Sequence, residues 1–218
     1  MRPTCVPAED GRASNSWDRC NGIARVPGAG AWRALRVQRP LASWHPDIVV
    51  TRNRLSDHVR PPLRVLLVGI NPSLRSAAIG HHFAGPSNRF WKLLYESGLI
   101  PEPIGTEDDG RLPEWGLGIT NLIARPTRGI GALRRREFAE GERVLRRKIR
   151  RWRPAAVALV GITLYRAIFE RPAEAVVTPG LQAERLEGAA VYVLPNPSGR
   201  NANFSYAEML AAFGSLPR

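Results

Sequence analysis

Two Asn-Pro-Ser segments are the first candidates for chemistry in this 218-residue sequence, because each pairs an amide side chain with a turn directly after an apolar run. The first is Gly69-Ile70-Asn71-Pro72-Ser73 and the second is Pro195-Asn196-Pro197-Ser198-Gly199-Arg200, with their asparagines 125 residues apart. Asn-Pro beside glycine is ordinary turn chemistry, so either segment alone reads as structural. At equivalent strand ends of one sheet, however, the pair could face the same crevice. Between them lies Gly80-His81-His82-Phe83-Ala84-Gly85-Pro86-Ser87-Asn88-Arg89-Phe90-Trp91, a loop with histidines and aromatics leading into a helix. Adjacent His81 and His82 raise the question of a metal. The other two histidines, His45 and His58, fall outside the motif region, and Cys5 and Cys20 are too few for a thiolate site. The expectation is therefore no metal and no cofactor, with His82 lining a pocket and His81 at the surface. A phosphate loop is missing, and no glycine-rich dinucleotide fingerprint follows the first strand, which weakens a reading as a different nucleotide-binding α/β enzyme.

The elements that must position these loops read as an alternation from Leu63 onward. Arg64–Gly69 (RVLLVG), Gly116–Thr120 (GLGIT), Ala156–Gly161 (AVALVG) and Ala190–Leu194 (AVYVL) are short apolar runs of the kind that form strands buried on both faces. Helical spacing appears between them. Asn88–Ser97 carries Phe90, Trp91, Leu94 and Tyr95, and Leu133–Arg153 places Phe138, Leu145, Ile149 and Trp152 on one stripe. Further helices are expected over Thr163–Phe169 and Tyr206–Phe213. This alternation predicts a three-layer α/β/α domain with a short, mostly parallel central sheet, whose ligands bind outside the carboxyl ends of the strands.

Composition bounds the remaining possibilities. With 32 Lys+Arg against 19 Asp+Glu the chain carries +13, which favours an acidic partner such as nucleic acid. Only Lys92 and Lys148 are lysines, an arginine bias that coding composition also produces. Residues 1–60 hold ten arginines against five acids, with Trp17, Trp32 and Trp44 scattered among Gly, Pro and Ser and no sustained period. They are expected to form a poorly ordered N-terminal extension to a domain spanning 61–218. The ten basic residues from Arg134 through Arg153 read as a solvated helix face rather than a DNA contact. No apolar run reaches the length of a membrane span, and the N-terminus lacks the apolar region of an export signal, so a cytoplasmic monomer without membrane contact is expected.

GINPS, GHHFAGPSNRFWK, GLGITNLIARPT and LPNPSG, in this order, resemble the mismatch-specific uracil/thymine-DNA glycosylases, the bacterial Mug and eukaryotic thymine-DNA glycosylase branch of the uracil-DNA glycosylase superfamily. The resemblance runs from Pro62 to the C-terminus, and Pro46-Asp47-Ile48-Val49 echoes the family's short lead-in. It implies a uracil-DNA glycosylase-like fold and a monofunctional enzyme that flips uracil from G-opposed mismatches in double-stranded DNA and hydrolyses its glycosidic bond, with a bacterial, nucleoid-associated setting. Asn71 then stands where the family's catalytic asparagine orients the attacking water. An amide is a poor general base, and the aspartate of more powerful uracil-DNA glycosylases is absent from this motif, so slow turnover is expected. Phe83 matches the aromatic residue that stacks on the flipped base. Main-chain groups of Ile70 and Phe83 would meet the pyrimidine edge, and Ser76, His82, Asn121 and Thr127 resemble pocket residues. Asn196, Ser198 and Gly199 would bind backbone and shape the site, with Arg200 as the wedge that fills the gap left by the flipped base. Two positions depart from the bacterial pattern: Arg200, where leucine is usual, and Ser73, where glycine is. They motivate the alternative of a mismatch-DNA-binding protein on the same fold that has lost catalysis.

Overall fold

The computed structural model describes residues 54–218. The expected extension lies almost wholly outside the described residues, as do its three tryptophans and the lead-in at 46–49. The four apolar runs form strands: β1 (Val65–Gly69), β2 (Leu117–Asn121), β3 (Ala156–Val160) and β5 (Ala189–Leu194), joined by β4 (Gly180–Leu186). The sheet order is β2-β1-β3-β5-β4, with β4 antiparallel to β5 and every other pairing parallel. β4 is absent from the expected strands, and its burial pattern explains why. Its two ends are buried while Leu181, Gln182, Ala183, Glu184 and Arg185 are exposed or half-buried, so this edge strand has no apolar run to announce it. Glu187 and Gly188, both at positive φ (51° and 87°), make the tight turn into β5.

The described residues form five α-helices, α1 (Leu74–Ile79), α2 (Phe90–Glu96), α3 (Arg135–Trp152), α4 (Ile162–Ile168) and α5 (Tyr206–Gly214), of which α2 to α5 pack on the sheet. Side chains alternate across a strand, and β1 shows the consequence. Val65 and Leu67 pack with Phe90, Leu94, Met209 and Phe213 of α2 and α5, whereas Leu66 and Val68 pack with Leu145, Ile149, Leu164 and Ile168 of α3 and α4. Full burial of each such side chain stabilises by about 1.5–3 kcal/mol. The expected three-layer α/β/α architecture is the one observed. On α3 the buried positions are Gly141, Leu145 and Ile149, while Arg135, Arg136, Arg143, Arg147, Arg150 and Arg151 are exposed.

Residues 55–60 lie along the outer edge of β2. His58 and Ile119 exchange main-chain hydrogen bonds of 3.1 and 2.9 Å, and Asp57 forms an ion pair with Lys148 of α3 at 2.7 Å. Because β1, β2, β3 and β5 run parallel, their carboxyl ends share one side of the sheet, where Ile70, Asn121, Gly161 and Pro195 begin or end the outgoing loops. Among the described residues no helix is long and apolar enough to cross a membrane.

Candidate active site at the strand ends

Parallel pairing continues past the ends of β1 and β2 and locks their loops together. The main-chain N–H groups of Leu122, Ile123 and Thr127 donate to the carbonyls of Gly69, Ile70 and Pro72 at 2.8, 2.8 and 3.1 Å. This places Thr127 against Asn71. The Asn71 Nδ2 donates to Thr127 Oγ1 at 2.8 Å and to the Arg125 carbonyl at 3.1 Å, with the Pro72 carbonyl also at 3.1 Å. The Thr127 hydroxyl donates in turn to the Gly129 carbonyl at 2.9 Å, so toward Asn71 it acts as an acceptor. The NH₂ end of the amide is thereby held by these acceptors, and an amide Oδ1 can accept a hydrogen bond from a water but is too weak a base to remove its proton.

The cleft has a volume of about 510 Å³, within the range of small-molecule and base pockets. Ile70, Asn71, Ser76, His82, Phe83, Asn121, Thr127, Asn196, Ser198 and Arg200 all line it. Gly199 does not, but it lets the second Asn-Pro-Ser loop pack closely on the loop that leads into α2: a Cβ there would sit 2.6 Å from the Ser87 carbonyl oxygen, too close for any side chain. Next to it, Arg89 N–H donates to the Pro197 carbonyl at 2.9 Å.

Phe83 forms the aromatic wall. Its ring stacks on fully buried Phe90 at 3.9 Å and 14°, and Phe90 meets Trp91 and Phe213 edge-on, so the wall is continuous with the core. Phe83 sits at φ 50°, a conformation costing a bulky residue on the order of 1–3 kcal/mol, which neighbouring bonds must offset. Gly69 is confined between this ring and Asn121: an added Cβ would lie 2.5 Å from Asn121 Oδ1 and 3.5 Å from Phe83 Cζ.

His82 is only 2% exposed, and burial holds its pKa below the ordinary histidine value. The imidazole is therefore neutral at pH 7. Its Nε2 is 3.0 Å from the Ser56 carbonyl, which can only accept, so Nε2 carries the hydrogen. Nδ1 is then an acceptor for Asn121 Nδ2 at 3.4 Å, and the Asn121 amide is turned with Oδ1 toward Gly69. Ser73 sits at φ −69° and ψ 160°, extended backbone that needs no glycine, and its Oγ accepts from Ser76 N–H to cap α1.

A model of the uracil DNA glycosylase superfamily matches residues 56–215, most of the chain. The chain belongs to the uracil DNA glycosylase superfamily. A solution NMR structure of a protein named "putative Uracil DNA glycosylase" from Methanosarcina acetivorans superposes with a TM-score of 0.52 over 76% of this chain and 98% of that one, at 17% identity. That likeness speaks for the fold.

In this superfamily member the cleft mouth is basic: Arg75, Arg128 and Arg200 are exposed on its rim, and an adjoining hollow of about 340 Å³ shares Ile70, Asn196, Ser198 and Arg200. The second motif braces itself, with Ser198 N–H donating to Asn196 Oδ1 at 3.0 Å and Arg200 N–H to Ser198 Oγ at 3.3 Å. Sequence reasoning missed Arg75, on the short helix α1, and Arg128, in the loop after β2, and it missed Asp109 altogether.

His58 lies outside the motif loops in sequence but is brought to them by the fold, and His81, expected at the surface, is half-buried. Pairing with β2 carries His58 to the back of the pocket, where its Nε2 lies 3.3 Å and His81 Nδ1 3.0 Å from Asp109 Oδ1. Ligand atoms of His58, His82 and Asp109 fall within 4.8 Å of one another. The donor set does not favour a metal, however. Both ring nitrogens of His82 face Ser56 and Asn121, Asp109 Oδ2 accepts His82 N–H at 2.8 Å, and Oδ1 faces the two other histidines. The cluster closes on itself as a hydrogen-bond network.

Proposed function

We propose that this superfamily member is a monofunctional DNA glycosylase of the mismatch-specific uracil/thymine branch, acting on uracil opposite guanine in double-stranded DNA. The observation that supports the reading is that Asn71, its Nδ2 held by Thr127 and two carbonyls, lines the same cleft as Phe83. A base still stacked in the duplex cannot reach this cleft, so the nucleotide must be flipped, and a mispaired base costs least to extrude. Arg200, at the rim, fills the vacated stack, while Arg75 and Arg128 contact phosphates.

The flipped pyrimidine lies on Phe83, opposite the face covered by Phe90. Asn121 Oδ1 accepts the N3–H of uracil, a hydrogen that cytosine lacks at N3, and the main chain at Ile70 and Phe83 meets the carbonyl edge. Asn71 Oδ1 accepts a hydrogen bond from one water and aims its oxygen at C1′ of the deoxyribose. As the C1′–N1 bond breaks, its electron pair leaves with the base as an anion held by pocket hydrogen bonds, and the sugar becomes oxocarbenium-like. Water oxygen bonds to C1′, its proton passes to solvent or to the departing base, and an abasic site remains. With an amide in place of a carboxylate, the water gains orientation without deprotonation, hence a slow reaction. The binding-only alternative leaned partly on Ser73; the extended backbone there supports retained catalysis.

Labelled G·U, A·U, G·T and single-stranded uracil substrates, cleaved by alkali after incubation, test the reading. Strand breaks at uracil in G·U are expected, with none from Asn71→Ala.

A further inference from the structure

We infer that Asp109 is a positioning residue that presets the Phe83 ring for the flipped base, an inference that rests on the glycosylase reading. Asp109 lies on the 3₁₀ segment Thr106–Trp115 and is 1% exposed. It does not line the cleft, yet it accepts the main-chain N–H of His82, the residue directly before Phe83, at 2.8 Å. On the far side of Phe83, Ala84 N–H donates to Ser76 Oγ at 3.2 Å, and Arg75 Nε donates to the Ala84 carbonyl at 2.9 Å. The peptides flanking Phe83 are therefore pinned, one to Asp109 and the other to α1. A phenylalanine at φ 50° relaxes unless both pins hold.

The chemistry of the pin favours a carboxylate. Three nitrogens converge on Asp109: His82 N–H donates to Oδ2 and His81 Nδ1 to Oδ1, and His58 Nε2 lies 3.3 Å from Oδ1. An ionised carboxylate has acceptor capacity for all of them and no hydrogen to misplace. His81 and His82 belong to the Phe83 turn, whereas His58 is fixed to β2 by its bridge to Ile119. Asp109 thus ties the turn to the sheet edge, and through it the ring plane is set before a base arrives. Displacement of that plane by about 1 Å would misalign C1′ with the water on Asn71, an error that costs roughly 100-fold in rate.

The test is a double-mutant cycle on full-length protein, with single-turnover uracil release from a G·U duplex and duplex affinity measured in parallel. Asp109→Ala should slow release about 10- to 100-fold while changing affinity less than about threefold. Asp109→Asn keeps an acceptor for His82 N–H and should lose only about 3- to 10-fold. In a Phe83→Ala background both losses should shrink to about twofold or less, because the residue through which Asp109 acts is gone. Equal fold-losses in both backgrounds, or none in either, would overturn the inference. If Asp109→Ala does not fold, the Asn variant carries the cycle. A ¹⁹F-phenylalanine NMR line assigned to Phe83 gives a readout independent of activity. It should shift or broaden in the Asp109 variants, and an unchanged line counts against the inference. A wild-type protein that releases no uracil while this line still responds would refute the glycosylase reading and leave the positioning role standing.

Discussion

Thr127 accepts a hydrogen bond from the Asn71 amide at 2.8 Å while donating its own hydrogen to the Gly129 carbonyl, and together with the Arg125 and Pro72 carbonyls it makes Nδ2 the bonded end of the amide. Thr127→Ala removes the shortest of the three hydrogen bonds made by Asn71 Nδ2 but leaves the backbone pairing of this loop with Pro72. Uracil release from G·U should fall by about 5- to 30-fold, matching removal of a hydrogen bond worth about 1–2 kcal/mol, and Thr127→Ser should restore most of it. Single-turnover kinetics with saturating enzyme make the comparison.

Stacking on Phe83 should be separable from ring chemistry. Phe83→Tyr keeps the flat face and should retain flipping, provided the added hydroxyl is accommodated. Phe83→Ala forfeits base stacking of about 1–3 kcal/mol and the packing against Phe90, and so should weaken capture of the extruded base by about 5- to 150-fold. Fluorescence of 2-aminopurine placed beside the mismatch reports the flipped population in each variant.

The buried neutral His82 gives the fold a pH dependence of known sign. Its pKa is lower in the folded protein than in the unfolded chain, chiefly through desolvation, so below the ordinary value of 6.5 the unfolded state binds more protons. Stability should be intact above that value and decline as pH falls through it toward the depressed folded value, with His82→Gln flattening this part of the profile. A separate loss is expected at lower pH from Glu137, whose carboxyl is held down at about 2 first by Arg125 and then by the Arg134 N–H at the start of α3, against an ordinary 4.5. Stability from Glu137 is present above 4.5 and lost as pH falls through 2. Thermal melts between pH 7 and 3 separate the histidine window and follow the onset of the second.

Much of this molecule can be read from sequence where burial leaves a local pattern. RVLLVG, AVALVG and AVYVL are strands because both faces are covered, and the apolar stripe of α3 matches the buried Leu145 and Ile149. β4 has one solvated face and charged side chains, and α1 is a six-residue helix set mainly by its Ser73 cap, so neither produces a sustained period. The candidate site divides in the same way. Asn71, Phe83 and Asn196 lie in recognisable loops directly after strands or before a helix. The meeting of His58, His81 and Asp109 depends on three segments distant in sequence converging behind the pocket, and no spacing in the sequence encodes that.

The arginine rim predicts a salt signature. Removing one arginine–phosphate pairing should lower the slope of log affinity against log salt by about 0.9, so Arg128→Gln should weaken binding to matched and mismatched duplexes alike. Arg200→Ala should instead impair mismatch binding preferentially, because a wedge is engaged only when a base has left the stack. Fluorescence anisotropy over a salt series distinguishes the two behaviours.

Hydrolysis directed by Asn71 is tested most directly by single-turnover uracil release from a labelled G·U duplex, comparing wild-type protein with Asn71→Ala and measuring duplex affinity on the same preparations. Slow release of uracil by the wild type is expected, with none above background by Asn71→Ala. Their affinities should lie within about threefold of each other, since Asn71 orients water rather than holding DNA. No release by wild-type protein at enzyme excess and long incubation, or release by Asn71→Ala at the wild-type rate, would contradict that role.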